Sequence, residues 1–120
     1  MNLSDLLVSG AQEKEITLFV AGEEKKLLVY LKPLPFSLVF DAKDKKGNTV
    51  SGNELIAKRV ANCYVNKAGE AIFTEGQLLG EGDKVVPADV VIALHDVVVE
   101  ENNLGKIYGN LVSKMSSGAN

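Results

Sequence analysis

One thiol, Cys63, and one imidazole, His95, are the only cysteine and histidine in the 120 residues. A Cys–His pair can carry acyl transfer when the imidazole takes the thiol proton. The surroundings of Cys63 argue against that use. It closes an apolar helix face made of Leu55, Ile56, Val60 and Cys63, where a cysteine acts as a small hydrophobe. His95 lies inside an apolar run and is expected at a core margin. A single Cys and a single His cannot make CxxC, HxxxH or HExxH spacing, so one chain offers no zinc site of the usual kinds. Gly76-Gln77-Leu78-Leu79-Gly80-Glu81-Gly82 has glycines but no strand-to-helix context and no following Lys-Ser/Thr. It reads as a loop, not a phosphate cradle. The acid pairs Glu23-Glu24 and Glu100-Glu101 read as solvated faces. The expectation is a protein that is not an enzyme, needs no cofactor or metal, and works through its surfaces.

Charge narrows the partners. Thirteen Lys and Arg stand against sixteen Asp and Glu, a net charge of -3. The densest basic cluster, Lys43, Lys45 and Lys46, is interleaved with Asp41 and Asp44. Without a positive field, counterion release contributes little to binding DNA or RNA, so nucleic acid is not expected as a partner. The apolar stretch from Val85 to Val99 is broken by Pro87, Asp89, His95 and Asp96, which leaves it short of a membrane span. Residues 1–10 lack a basic region and a long apolar run, so no signal peptide is expected. One cysteine permits no internal disulfide, and the reducing cytosol is the expected compartment. With 46% hydrophobic and 24% charged residues, the chain reads as one globular domain burying about two thirds of its unfolded surface.

The elements follow from period and punctuation. Ser4 is a candidate cap for a single turn through Leu6 and Leu7, the alternative being a loose terminus. Ile16 to Val20 and Leu27 to Leu31 are β-rich runs around Ala21-Gly22-Glu23-Glu24, which predicts a β-hairpin over Glu15–Leu31. Pro33 and Pro35 end it. Pro35 suits a first helical position, and Phe36, Val39 and Phe40 share a face, which predicts a helix from Pro35 to about Lys45, stopped at Gly47-Asn48. Ser51-Gly52-Asn53-Glu54 matches a capping box and opens a helix with Lys58, Arg59 and Asn62 on its wet side. Cys63 to Phe73, with Gly69 at the turn, predicts a second short hairpin. Thr74-Glu75-Gly76-Gln77 is another capping box. Val90, Val91, Leu94, Val97 and Val98 recur at helical spacing over Pro87–Asn103. Ile107, Leu111 and Met115 are spaced at four in a Gly- and Ser-rich end. The fold class is α+β: an N-terminal hairpin, then helices with a short second hairpin. Residues 1–104 form the domain, and 105–120 a flexible or weakly helical tail.

Ser51 to Glu75, read in order, resembles the middle of the tail assembly chaperones of long, flexible-tailed bacteriophages. In that family a helix leads into a short extended pair with a D-x-x-G-x-x-x-F pattern, then a polar helix start after F-T/S, then a long helix ending near Asn-Asn/Gly. Here Asn66 stands where Asp is common, and Asn102-Asn103-Leu104-Gly105 fits the ending. The opening Lys32-Pro33-Leu34-Pro35-Phe36 before a helix also fits. The resemblance covers roughly residues 16–105. It implies a non-catalytic protein of the host bacterial cytoplasm, absent from the mature virion. It also implies binding to the tape measure protein, recruitment of tail tube protein, self-association into a ring or spiral, and in many members a longer frameshifted form. The alternative is a small structural tail or head–tail connector subunit of the virion.

The physical basis for such a role is the last long helix. Its apolar arc spans about 220°, against about 100° for a one-sided surface helix. A central core helix explains most of that arc. Ile92 and Val99 add a second line on an adjoining face. These two, with Ile107, Leu111 and Met115 of the tail, are the expected partner contacts.

Overall fold

The computed structural model describes residues 2–8 and 10–107. The chain runs through a single turn of 3-10 helix at Leu3–Leu6, then β1 (Gln12–Val20), β2 (Glu23–Leu31), a 3-10 turn at Phe36–Leu38, α1 (Gly52–Cys63), β3 (Tyr64–Val65), α2 (Glu75–Leu79) and α3 (Ala88–Glu101). It is an α+β fold with a three-stranded antiparallel sheet in the order β1-β2-β3. At the N-terminus it is Asn2, not Ser4, that occupies the cap position, and its amide donates to the Asp5 carboxylate at 3.0 Å.

β1 and β2 pair over nine residues, from Gln12 opposite Leu31 to Val20 opposite Glu23. The loop is only Ala21-Gly22, tighter than the expected four-residue turn. Both residues have positive φ, 54° and 78°, the twist-matched geometry of a two-residue hairpin. β3 adds to β2 only at Tyr30 and Leu31. Among the described residues, most of the hairpin therefore stands as an arm with two open edges.

Alternation sorts the arm's residues. Ile16 and Leu18 are buried, and Val20, Val29 and Leu31 pack partly against the core. Thr17, Phe19, Lys26 and Leu28 fall on the opposite face and are exposed. The buried face lies on α3, which touches β1 on one side and α1 on another. Val91, Ala93, Leu94, Val97 and Val98 of α3 meet Ala57, Val60 and Cys63 of α1 in one cluster with Tyr64 and Leu78. The Tyr64 hydroxyl donates to the Leu94 carbonyl at 2.7 Å, which satisfies a buried polar group and ties β3 to α3. α3 is thus the core helix that its wide apolar arc suggests.

The expected helix from Pro35 to Lys45 does not form. Leu38 and Val39 amides donate to the Pro35 and Phe36 carbonyls, a single 3-10 turn. The chain then bends into a small hairpin, with Lys43 bridged to Thr49 and the Val50 amide on the Ala42 carbonyl. Two local features outcompete the helix. The Asp44 carboxylate accepts from the Lys46 and Asn48 amides at 2.8 and 2.9 Å, and Gly47 takes φ +84°. Asp and Gly favour such turns, and β-branched Thr49 and Val50 favour the extended return.

The same device recurs 22 positions later, as the numbering 44 and 66 shows. The Asn66 Oδ1 accepts from the Glu70 amide at 2.9 Å, Gly69 takes φ +87°, and Val65 is bridged to Ala71. This is the expected second hairpin, reduced to one bridge beyond its turn. Only a side-chain acceptor is needed at its first position. Asn66 therefore serves as Asp44 does. Each device delivers the chain to a helix start, at Ser51 and at Thr74. The two starts differ. Thr74 and Gln77 exchange both capping hydrogen bonds, at 3.0 and 3.1 Å. Ser51 has cap geometry but no side-chain cap bond, contrary to the expected box.

The end of α3 is clipped to the start of the long connection. Asn102 accepts from the Leu34 amide at 3.1 Å and donates to the Val98 carbonyl at 2.8 Å. Asn103 takes φ +54°, a left-handed conformation that Asn tolerates. Leu104 is fully buried, and a helical turn follows at 104–107. The Asn-Asn-Leu ending is thus a clip, a reversal and a plug. The packed body includes Leu104.

Candidate functional site

The two residues with chemical potential are taken up by structure. Cys63 is 1% exposed, and burial pushes its thiol up to about 11, with Lys32 and Arg59 pulling weakly the other way. A thiol that stays protonated is a poor nucleophile. His95 is half-buried and faces Arg59, with Nη1 to Nε2 at 3.1 Å. A guanidinium only donates, so the His95 Nε2 must accept and the ring is neutral. Burial holds His95 below its ordinary value of 6.5, and the neighbouring Arg59 adds to that, against a smaller upward pull from Asp96. Among the described residues no group of three His, Cys, Asp or Glu is placed to hold a metal ion, and no helix is long and apolar enough to cross a membrane.

Arg59 itself overturns an expectation. Its place beside Lys58 and Asn62 predicts a solvated side chain, yet it is 5% exposed. Its Nε donates to the Leu38 carbonyl at 2.8 Å, and Nη2 donates to the Val39 carbonyl. Those carbonyls would accept from residues 42 and 43 in a continuing helix. The guanidinium fork takes them instead and pins the 36–39 turn to α1. The apolar triad Phe36, Val39, Phe40 splits accordingly. Val39 is buried at 7%, while Phe36 and Phe40 stand in solvent at 81% and 49% as an edge-to-face pair 6.1 Å apart.

A titration prediction follows for His95. Its folded value lies below the unfolded one, so the stability it contributes is full above pH 6.5 and is lost as pH falls through the folded value. Between pH 7 and 5, wild type should lose more unfolding free energy than His95→Gln, whose side-chain oxygen still accepts from Arg59. Parallel urea-melt profiles for the two proteins would refute it.

An apolar groove of about 520 Å³ lies between β1 and α3. Leu18, Ala93 and Val97 line it with Phe19 and Ile92, the last two 68% and 60% exposed. Asp89, Asp96 and Glu100 also line it. They recur at i, i+7 and i+11 on α3, which places them along one face. The groove is therefore apolar inside and carries a row of carboxylates. Such a surface suits an amphipathic helix bearing Lys or Arg beside an apolar stripe.

Of the expected contact residues, Ile92 is in this groove. Val99 is partly covered and does not line it. Ile107 is 37% exposed on the short turn after α3. Leu111 and Met115 lie outside the described residues. Phe19 was not among the expected contacts. The signal was there, since Ile16, Leu18 and Val20 alternate inward and so send Phe19 outward. Leu3, Leu6 and Leu7 of the N-terminal turn are also exposed, at 85%, 64% and 83%. No family model matches this chain, and neither the curated proteins nor the solved structures include a significant match to it.

Proposed function

We infer that the protein is a non-catalytic assembly factor of the tail assembly chaperone kind. It binds the tape measure protein, keeps that long helical chain from aggregating, and promotes addition of tail tube protein in the host bacterial cytoplasm. It works as a homo-oligomer and leaves before the virion is complete. The observation that carries this reading is the groove between β1 and α3. A closed core still leaves Phe19 and Ile92 in solvent beside three carboxylates, and an apolar, acid-lined slot is a receptor for helices.

The test is co-expression with the tape measure protein of the same phage. A soluble complex is expected. Phe19→Glu/Ile92→Glu should weaken capture by a hundredfold or so, since two exposed apolar anchors become charges next to carboxylates. Its melting temperature should stay near wild type, because neither side chain is in the core. Capture at wild-type strength by that variant, or no complex at micromolar concentration, overturns the reading. Mass spectrometry of purified virions is the second arm. Stoichiometric presence there would replace the chaperone with a structural tail or connector subunit.

A further inference from the structure

The groove needs an occupant with an apolar stripe and positive charge, and this chain carries one. After Glu101 the sequence has no Asp or Glu, and its only charged side chains are Lys106 and Lys114. Ile107, Leu111 and Met115 recur every four residues between and beside them, the spacing of one helix face. The exposed N-terminal leucines Leu3, Leu6 and Leu7 flank Asp5, which has the wrong sign for the groove.

Dimensions agree as well. Residues 104–115 as a helix are about 18 Å long, the same as the α3 stretch from Asp89 to Glu100. Laid antiparallel to α3, such a segment sets Lys114 near Asp89 and Lys106 near Asp96 and Glu100. The first turn shows where the segment starts. Leu104 is buried in its own body, Asn103 turns the chain with φ +54°, and Gly105, Lys106 and Ile107 are exposed. None of residues 104–107 lines the groove of the same chain.

We propose that residues 104–115 of one copy dock in the β1–α3 groove of a second copy, with lysines on the carboxylates of α3. Donor segment and acceptor groove are different surfaces, so the contact is heterologous. Repeated, it closes a ring or extends a spiral. It also places a copy's tail where a partner helix would bind, so a partner enters by displacing a neighbour. The proposal rests on the self-association in the functional reading and not on the identity of the partner.

Charge reversal in the full-length protein tests it, read by sedimentation at micromolar concentrations in low salt. Wild type should associate with concentration and dissociate when salt is raised to about 0.5 M, where ion pairs are screened. Lys106→Glu/Lys114→Glu should weaken association about a hundredfold, and Asp96→Lys/Glu100→Lys by a similar factor. Asp96, Glu100 and Lys106 are exposed, so these variants should melt like wild type. The chain carrying all four reversals should recover association to within about tenfold of wild type, which a purely structural role would not produce. A monomeric wild type, unchanged association in either double variant, or no recovery in the fourfold variant overturns the proposal. Intact charge-dependent association alongside failed capture of the tape measure protein would end the functional reading and leave this one standing.

Discussion

Arg59→Met is expected to lower unfolding free energy by about 3 kcal/mol, because the Leu38 and Val39 carbonyls lose the guanidinium as a donor. The side chain has the right length and apolar stem, so little of that loss is packing. The loss should be local before it is global. Amides from Phe36 to Lys43 should exchange faster by a larger factor than those of α3, because the grip on Leu38 and Val39 is what fixes that segment. Arg59→Lys should recover only part, since a single ammonium cannot reach both carbonyls and the His95 ring in the fork geometry of a guanidinium. Urea melts and amide exchange measure both effects. A methionine variant within about 0.5 kcal/mol of wild type would show that the 36–39 turn is held by something else.

Leu94→Asp is expected to abolish the folded state. Leu94 is 5% exposed and sits in the cluster where α3 meets the hairpin and α1. Burying a carboxylate there costs several kcal/mol on top of the lost apolar contacts. Against a total stability of about 5–15 kcal/mol for a domain, that sum is enough to unfold it. Loss of amide dispersion in a proton–nitrogen correlation spectrum is the expected result. Leu94→Ala should fold with a penalty of about 3 kcal/mol. A Leu94→Asp protein that melts cooperatively near the wild-type temperature would mean α3 is not the centre of the core.

Legibility in the sequence followed the range of the physics. The hairpin arm, the capped start at Thr74 and the helical period of α3 were readable because each depends on neighbours within a few residues. The 35–45 segment was not. Its Pro and its apolar spacing suggest a helix, while the deciding partners are the turn at Asp44 and a guanidinium from 20 residues away. Arg59 was misread for the same reason. A charged residue on a helix is solvated unless a distant backbone needs it, and no local pattern reports that need. The candidate site was half visible. Ile92 could be found on the helical wheel of α3. Phe19 could be placed beside it only once the arm's inward face was known to lie on that helix.

The hairpin's open edges have a consequence for life in a crowded cell. A long unpaired strand invites identical strands to zip onto it, and a protein with two such edges risks precipitation. Glu13, Lys14 and Glu15 on one edge strand and Glu23, Glu24, Lys25 and Lys26 on the other set like charges against each other in many of the alignments two such ribbons could try. Neutralising these seven residues would turn a dispersed protein into a gelling one.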